Sequence, residues 1–271
     1  MASIKYILKV ILYKPLFNAL ILLVWLMPYN SVGLAIIILT IIIRLILLPS
    51  SMKATYQQKR MRDLQPEIVE IQNKYKGDKQ KQSQELMAFY KEKNINPMGS
   101  CLPLLVQLPV LLILYYVFMN GLSTARFDLL YNFTPRPEFI NTWFLGIDLA
   151  KPDKFVLPII AGVLQYFQSR QLTPQVSGEK GQEMQAMISK QMMYLMPVFT
   201  VIIAMRLPAA LPLYWSVTTL FAIIQQWWVF RDKNNEKYEK IEKKTKTKKS
   251  KKEIEGTINK KGVEVTVRKK K

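Results

Sequence analysis

Histidine is absent from this 271-residue chain, and cysteine occurs once. Without histidine there is no imidazole general base, no haem ligand and no common zinc site. A lone Cys101 excludes an internal disulfide and any cysteine metal cluster; at the head of an apolar run it reads as a small buried hydrophobe. Acidic residues are missing from the apolar runs 32–48, 101–119, 155–168, 191–205 and 211–230. That removes an intramembrane aspartate pair and the carboxylate relay of a proton- or sodium-driven carrier. The nucleophile elbow G-x-S-x-G and the metalloprotease pattern HExxH are absent too. The expectation is a protein with no catalytic residue, no metal and no cofactor, and therefore not an enzyme.

What is present is grease and positive charge: half the residues are hydrophobic, and the net charge is +20. That pairing indicates a membrane protein with basic parts outside the bilayer. The run VGLAIIILTIIIRLILL, Val32 to Leu48, is followed by Pro49, which is expected to end it. Its seventeen residues rise roughly 26 Å, close to the hydrocarbon thickness of a bilayer. Arg44 sits inside it. A cation there costs about 2.5–3.5 kcal/mol on insertion scales, so the default reading is a functional site. The alternative is snorkelling to headgroups five residues before Pro49. Helical side chains lean toward the helix N-terminus, which points Arg44 to the bilayer centre if that terminus is outside.

Five spans are expected, at about 31–49, 101–120, 154–168, 191–206 and 209–230. Pro103 and Pro109 should bend the second, Pro197 lies in the fourth, and Trp227-Trp228 form an interfacial belt at the end of the fifth. Five spans do not divide into equal inverted halves, which argues against many transporters. Residues 1–30 form an N-terminal segment in which Ile4, Leu8, Ile11 and Leu12 share one face beside Lys5 and Lys9, an interfacial amphipathic helix. Phe17 to Met27 is too short to span and is placed in, or dipping into, the interface. No small-residue cleavage pattern follows Met27-Pro28, so a cleaved signal peptide is not expected.

Lys and Arg number ten in residues 51–100 but three in the N-terminal segment, which places the N-terminus outside and the C-terminus in the cytoplasm. Within 51–96, Met61, Leu64, Ile68, Ile71 and Tyr75 make one apolar stripe, and Gly77-Asp78 supplies a turn, giving a cytoplasmic helical hairpin. It is either a solvated connection or a mobile platform that meets incoming chains. Residues 231–271 form a disordered Lys-rich tail, suited to anionic lipids or to ribosomal RNA.

Several polar residues could share a cavity with Arg44. Thr40 lies one turn before it and Ser51 two turns after. Trp215, Thr218, Thr219, Gln225 and Gln226 line one side of the fifth span, while Gln107, Gln165 and Gln168 add amides from the second and third. Such groups serve either ordinary interhelical hydrogen bonds or a wet cavity. The methionines Met184, Met187, Met192, Met193 and Met196 suit pliable packing.

The stretches VGLAIIILTIIIRLILLP, LQPEIVEIQNKYKGDKQKQSQELMAFYKEKNINP, GSCLPLLVQLPV, FLGIDLAKPDKFVLPII and LPAALPLYWSVTTLFAIIQQ together resemble the YidC/Oxa family of membrane protein insertases, from about Leu12 to Phe230. The resemblance implies an all-α polytopic protein whose five helices enclose a hydrophilic groove open to lipid and cytoplasm. In it Arg44 matches the groove arginine, Gln165 and Trp215 match other groove positions, and Thr40, Gln107, Thr218 and Gln225 are further candidates. It implies insertion of newly made membrane proteins without nucleotide hydrolysis, in the bacterial plasma membrane. The expected partners are nascent membrane proteins with acidic or polar tails, the ribosome, anionic lipids and the Sec translocation channel. The chain resembles a minimal bacterial form, lacking the large extracytoplasmic domain and the lipoprotein cysteine of other members. A passive lipid scramblase or small-solute channel using the same groove is the alternative, and a ribosome-anchoring protein a third reading.

Overall fold

Lipid tails are as apolar as leucine, so burying a side chain between membrane helices brings little hydrophobic gain, and close packing with satisfied polar groups decides the arrangement. A computed structural model describes residues 11, 13–93, 95, 111–112, 114–118, 129–173 and 183–231, with backbone alone for 183–190 and 192. Most of the Ile4–Leu12 stretch, the larger part of the expected second span with Cys101 and Gln107, and the tail beyond Arg231 lie outside the described residues. The chain divides into a unit over Met1–Val229 and another over Phe230–Lys271. Of the second unit, only Phe230 and Arg231 are described, as the end of a helix.

Helix α1, Lys14–Leu26, begins with Pro15 in its first turn, where a missing amide hydrogen costs nothing. Phe17, Leu20, Ile21 and Val24 recur at three- and four-residue steps and are buried in the main apolar core. The segment placed at the interface from its length is thus a core helix packed on the one that follows. Tyr29 and Asn30 take left-handed conformations, at φ 56° and 50°, and turn the chain around. Ser31 then caps helix α2, Val32–Asp63, accepting a hydrogen bond from the Leu34 amide.

Helix α2 does not stop at Pro49. It runs 32 residues with Pro49 in its interior. The proline removes the amide that would bond the Leu45 carbonyl, and its ring crowds that carbonyl, a local cost of about 3 kcal/mol that the turns on either side outweigh. The first part of the expected hairpin is therefore the continuation of the first span. Leu64 breaks the helix, and α3, Gln65–Lys74, pairs with α4, Lys79–Glu92. Asp78 caps α4 through a 3.0 Å bond from the Lys81 amide, and Lys93 pairs with Glu67 at 2.7 Å. Tyr56, Ile68, Val69, Phe89 and Ile95 are buried apolar residues of this region.

Residues 111–112 and 114–118 are helical, and Leu114, Val117 and Phe118 join the core. A two-stranded hairpin follows, β1 Trp143–Phe144 against β2 Ile147–Asp148. Helix α5, Val156–Leu172, starts where Asp153 accepts the Phe155 and Leu157 amides. It forms a close pair with α6, Glu183–Ala204. Val201 presses on Gly162 where a Cβ would collide with it, and Tyr166 stacks on Tyr194 at 5.9 Å, so the two helices run antiparallel. Helix α7, Ala210–Arg231, closes the order. Among the described residues, α2 is the one helix long and apolar enough by length and composition to cross a membrane. Ile41, Ile42, Leu45 and Ile46 of α2, Ile159, Ile160, Val163 and Phe167 of α5, and Tyr194, Leu195, Phe199 and Ile202 of α6 are exposed, an amount of bare apolar surface that suits lipid rather than water.

Candidate functional site

Thr40, Arg44, Ser51, Thr55 and Lys59 fall at helical spacings that place all five on one side of α2. Tyr214, Thr218, Gln225 and Val229 repeat the 4, 7, 4 spacing of the first four on α7. The two sides meet. Tyr214 interacts electrostatically with Arg44. The Ser51 hydroxyl lies 3.1 Å from the Gln225 Oε1 and shares its proton with the Leu48 carbonyl, also at 3.1 Å. Gln225 Nε2 donates to Thr55 Oγ1 at 2.8 Å, and Lys59 Nζ donates to the Val229 carbonyl at 3.3 Å. Residue numbers rise together along both helices, so α2 and α7 run in the same direction and share a polar seam.

The seam changes character along its length. Near Arg44 it is undersupplied with partners. Arg44 is half-buried, and among the described residues no carboxylate lies within ion-pair distance of it. The Thr218 hydroxyl is buried without a hydrogen-bond partner, as is Gln226 Oε1 further along. Toward the hairpin Ser51, Thr55, Gln225 and Lys59 are all engaged, with Gln226 Oε1 the exception beside them. Buried polar atoms are normally paired, so the Thr218 hydroxyl, on the stretch of α7 that faces Arg44, leaves room there for another polar group.

The other candidates are placed as follows. Thr40 is 2% exposed and donates at 2.6 Å to the Ile36 carbonyl one turn back, so its hydroxyl is used within its own helix. It lines a cavity of about 10 Å³ with Leu20, Ile36, Leu39, Ile43, Leu114, Phe118 and Tyr214. That volume is near the least that holds one water molecule. Trp215 on α7 and Gln165 on α5 are half-buried. Gln107 lies outside the described residues. Sequence reasoning passed over Tyr214, Thr55 and Lys59; their matched spacing with the stripe through Arg44 was the available signal.

A second polar cluster fixes the helix ends at which the seam begins. Buried Asn18 on α1 donates to the carbonyls of Lys14 (2.8 Å) and Leu129 (3.1 Å), and accepts from the Tyr131 amide (2.7 Å) and the Thr134 hydroxyl (2.8 Å). Nearby, Asp148 accepts from Thr142, the Ala150 amide and Lys151. Desolvation pushes its carboxyl up, but these three partners together outweigh it and hold the group below its ordinary value. The Leu149 and Lys151 carbonyls accept from the amides of Ala210 and Ala209, tethering the start of α7.

Comparison with known proteins supplies the family. The model of the family described as 60Kd inner membrane protein matches residues 25–254. Among similar proteins, "Membrane protein insertase YidC" of Clostridium tetani is 42% identical over 200 residues, covering 73% of this chain and 81% of that one. The protein of the same name from Fusobacterium nucleatum is 37% identical over 203 residues, covering 74% and 87%. The one from Clostridium perfringens is 35% identical over 215 residues, covering 77% and 84%. A helical chain with an arginine in its apolar span, matched over most of its length, belongs to the 60Kd inner membrane protein family, the YidC/Oxa1 family of helical membrane proteins.

Proposed function

We propose that this protein inserts newly made membrane proteins into the bacterial plasma membrane, by offering the polar stretch around Arg44 to a hydrophilic segment of the client. The observation that carries this reading is a half-buried arginine without a carboxylate partner among the described residues, beside the orphaned hydroxyl of Thr218 on α7. A client carboxylate at 4 Å from Arg44 gains about 4 kcal/mol at an effective dielectric of about 20, against about 1 in bulk water. An aspartate at the membrane centre costs about 2.5–3.5 kcal/mol on insertion scales, so one arginine offsets one acidic residue. The client's apolar helix then passes along α2 and α7 into lipid, driven by hydrophobic transfer, and no nucleotide is hydrolysed.

The wider reading has five spans around a groove open to lipid and cytoplasm, with the N-terminus outside and the C-terminus inside. Trp215, Gln165, Gln107, Thr40 and Gln225 complete the groove's polar lining. The hairpin of α3 and α4 and the basic tail face the cytoplasm, where ribosomes and anionic lipids are the partners, and the Sec channel is a further one. The test is insertion of an acidic-tailed, single-span client into vesicles carrying the wild type, Arg44→Lys or Arg44→Ala. Lysine keeps most of the activity, and alanine loses it for acidic tails but not for neutral ones. Equal activity in all three removes Arg44 from the mechanism.

A further inference from the structure

The hairpin over 141–150 has a feature that insertion does not use. Its two-residue turn is Leu145-Gly146, with φ of 50° and 81°. Both central residues of such a turn need positive φ, a demand that asparagine or aspartate followed by glycine meets easily and leucine does not. Leu145 is nonetheless there, 86% exposed, with Trp143 beside it 60% exposed. A bulky apolar residue at an unfavourable backbone position, making little contact with its own chain, calls for an external partner.

Geometry identifies that partner. The hairpin is pinned at the level of the first turns of the membrane helices. The Phe144 ring packs where a Cβ on Gly33 would stand, at the second residue of α2. Asn141 exchanges backbone hydrogen bonds with Asn30 (3.1 Å) and Val32 (3.0 Å). At the other end of the loop, Pro152 bridges to Pro208 just before α7, and α5 begins at Val156. Each strand is only two residues long, so Leu145 can rise no more than roughly 7 Å from Phe144's level. The tip therefore stays near the boundary where the exposed apolar flank of α5 begins, at Phe155, Val156 and Ile159. Lys154 and Arg206 are exposed on neighbouring segments, without an acidic partner among the described residues, and suit lipid phosphates.

We infer that the 141–150 hairpin is a lipid-binding wedge, with Trp143 and Leu145 seated in the headgroup–acyl boundary of the leaflet that surrounds the first turns of α2, α5 and α7. Tryptophan favours that layer because its ring is apolar and its indole N–H is polar. The wedge sets the depth at which α2 starts, and with it the depth of Arg44.

The test places a nitroxide on Leu145→Cys in a Cys101→Ser background, reconstituted in phosphatidylethanolamine–phosphatidylglycerol vesicles, with Asn132→Cys in the same background as the water-facing control. Relative to position 132, the label at 145 should meet oxygen several-fold more, and a water-soluble nickel chelate several-fold less. Equal accessibilities at the two positions overturn the wedge. An independent measurement keeps the native cysteine: in a variant whose other four tryptophans are phenylalanine, lipids brominated near the headgroup should quench the fluorescence of Trp143. Fluorescence unchanged by those lipids overturns the inference as well.

Discussion

Ser51 and Gln225, 174 residues apart in sequence, meet at 3.1 Å and join α2 to α7. The same glutamine reaches Thr55 through its amide nitrogen, so one side chain closes the seam on two rungs of α2.

Replacing Gln225 by alanine should therefore loosen the pair. The Ser51 proton keeps the Leu48 carbonyl, but leaving the Thr55 hydroxyl without its donor costs about 1–3 kcal/mol by the usual penalty for stranded buried groups. A Gln225→Ala, Thr55→Val cycle should return a smaller interaction energy, about 0.6 kcal/mol, the average for hydrogen bonds between membrane helices. Thermal unfolding in nanodiscs measures both. An interaction energy of zero would mean that the 2.8 Å contact contributes nothing.

Asn18 carries four hydrogen bonds, three of them to residues 129–134. Asn18→Leu preserves size but removes every bond, and should destabilise the fold by at least about 2 kcal/mol. The damage should appear locally as faster proteolysis between residues 129 and 137. Asn18→Asp keeps the two acceptor contacts and loses the donors, so its effect should fall in between.

Gly162→Ala should weaken the α5–α6 pair by about 1–3 kcal/mol, because Val201 occupies the space the new methyl needs. Val201→Ala added to it should recover most of the loss. A cysteine cross-link between the 166 and 194 positions, whose rings stack in the native pair, reports whether the helices still meet.

Acid should open the 141–151 loop before the membrane core. The Asp148 carboxyl is held below its ordinary value, so its contribution is fully present above the unfolded value of about 3.9 and vanishes as pH falls through the lower folded value. Exchange of the Ala150 amide, which donates to Asp148 at 3.1 Å, should accelerate across that acid window and be insensitive to pH in Asp148→Asn once intrinsic exchange is subtracted.

The parts of this architecture legible in sequence were those set by period and by punctuation. The stripe through Thr40, Arg44 and Ser51 could be read from its spacing, as could the polar side of α7, and Gly77-Asp78 marked the turn that Asp78 caps. Other parts depend on partners far along the chain. Asn18 looks like an incidental polar residue in a short apolar run until Leu129, Tyr131 and Thr134 are brought to it. Thr55 and Lys59 resemble the solvated arm of a hairpin because Pro49 suggests a stop. The helix continues because the lost bond and ring clash at the proline are local, while the remaining turns keep their bonds and their contacts with α7.

That continuity makes α2 a lever. Arg44 and Lys59 stand fifteen residues apart on it, roughly 22 Å along the axis. A ten-degree bend at the level of Lys59 would sweep the guanidinium sideways by about 4 Å, more than the length of a hydrogen bond. A push applied to the arms of α3 and α4 thus has a mechanical route to Arg44.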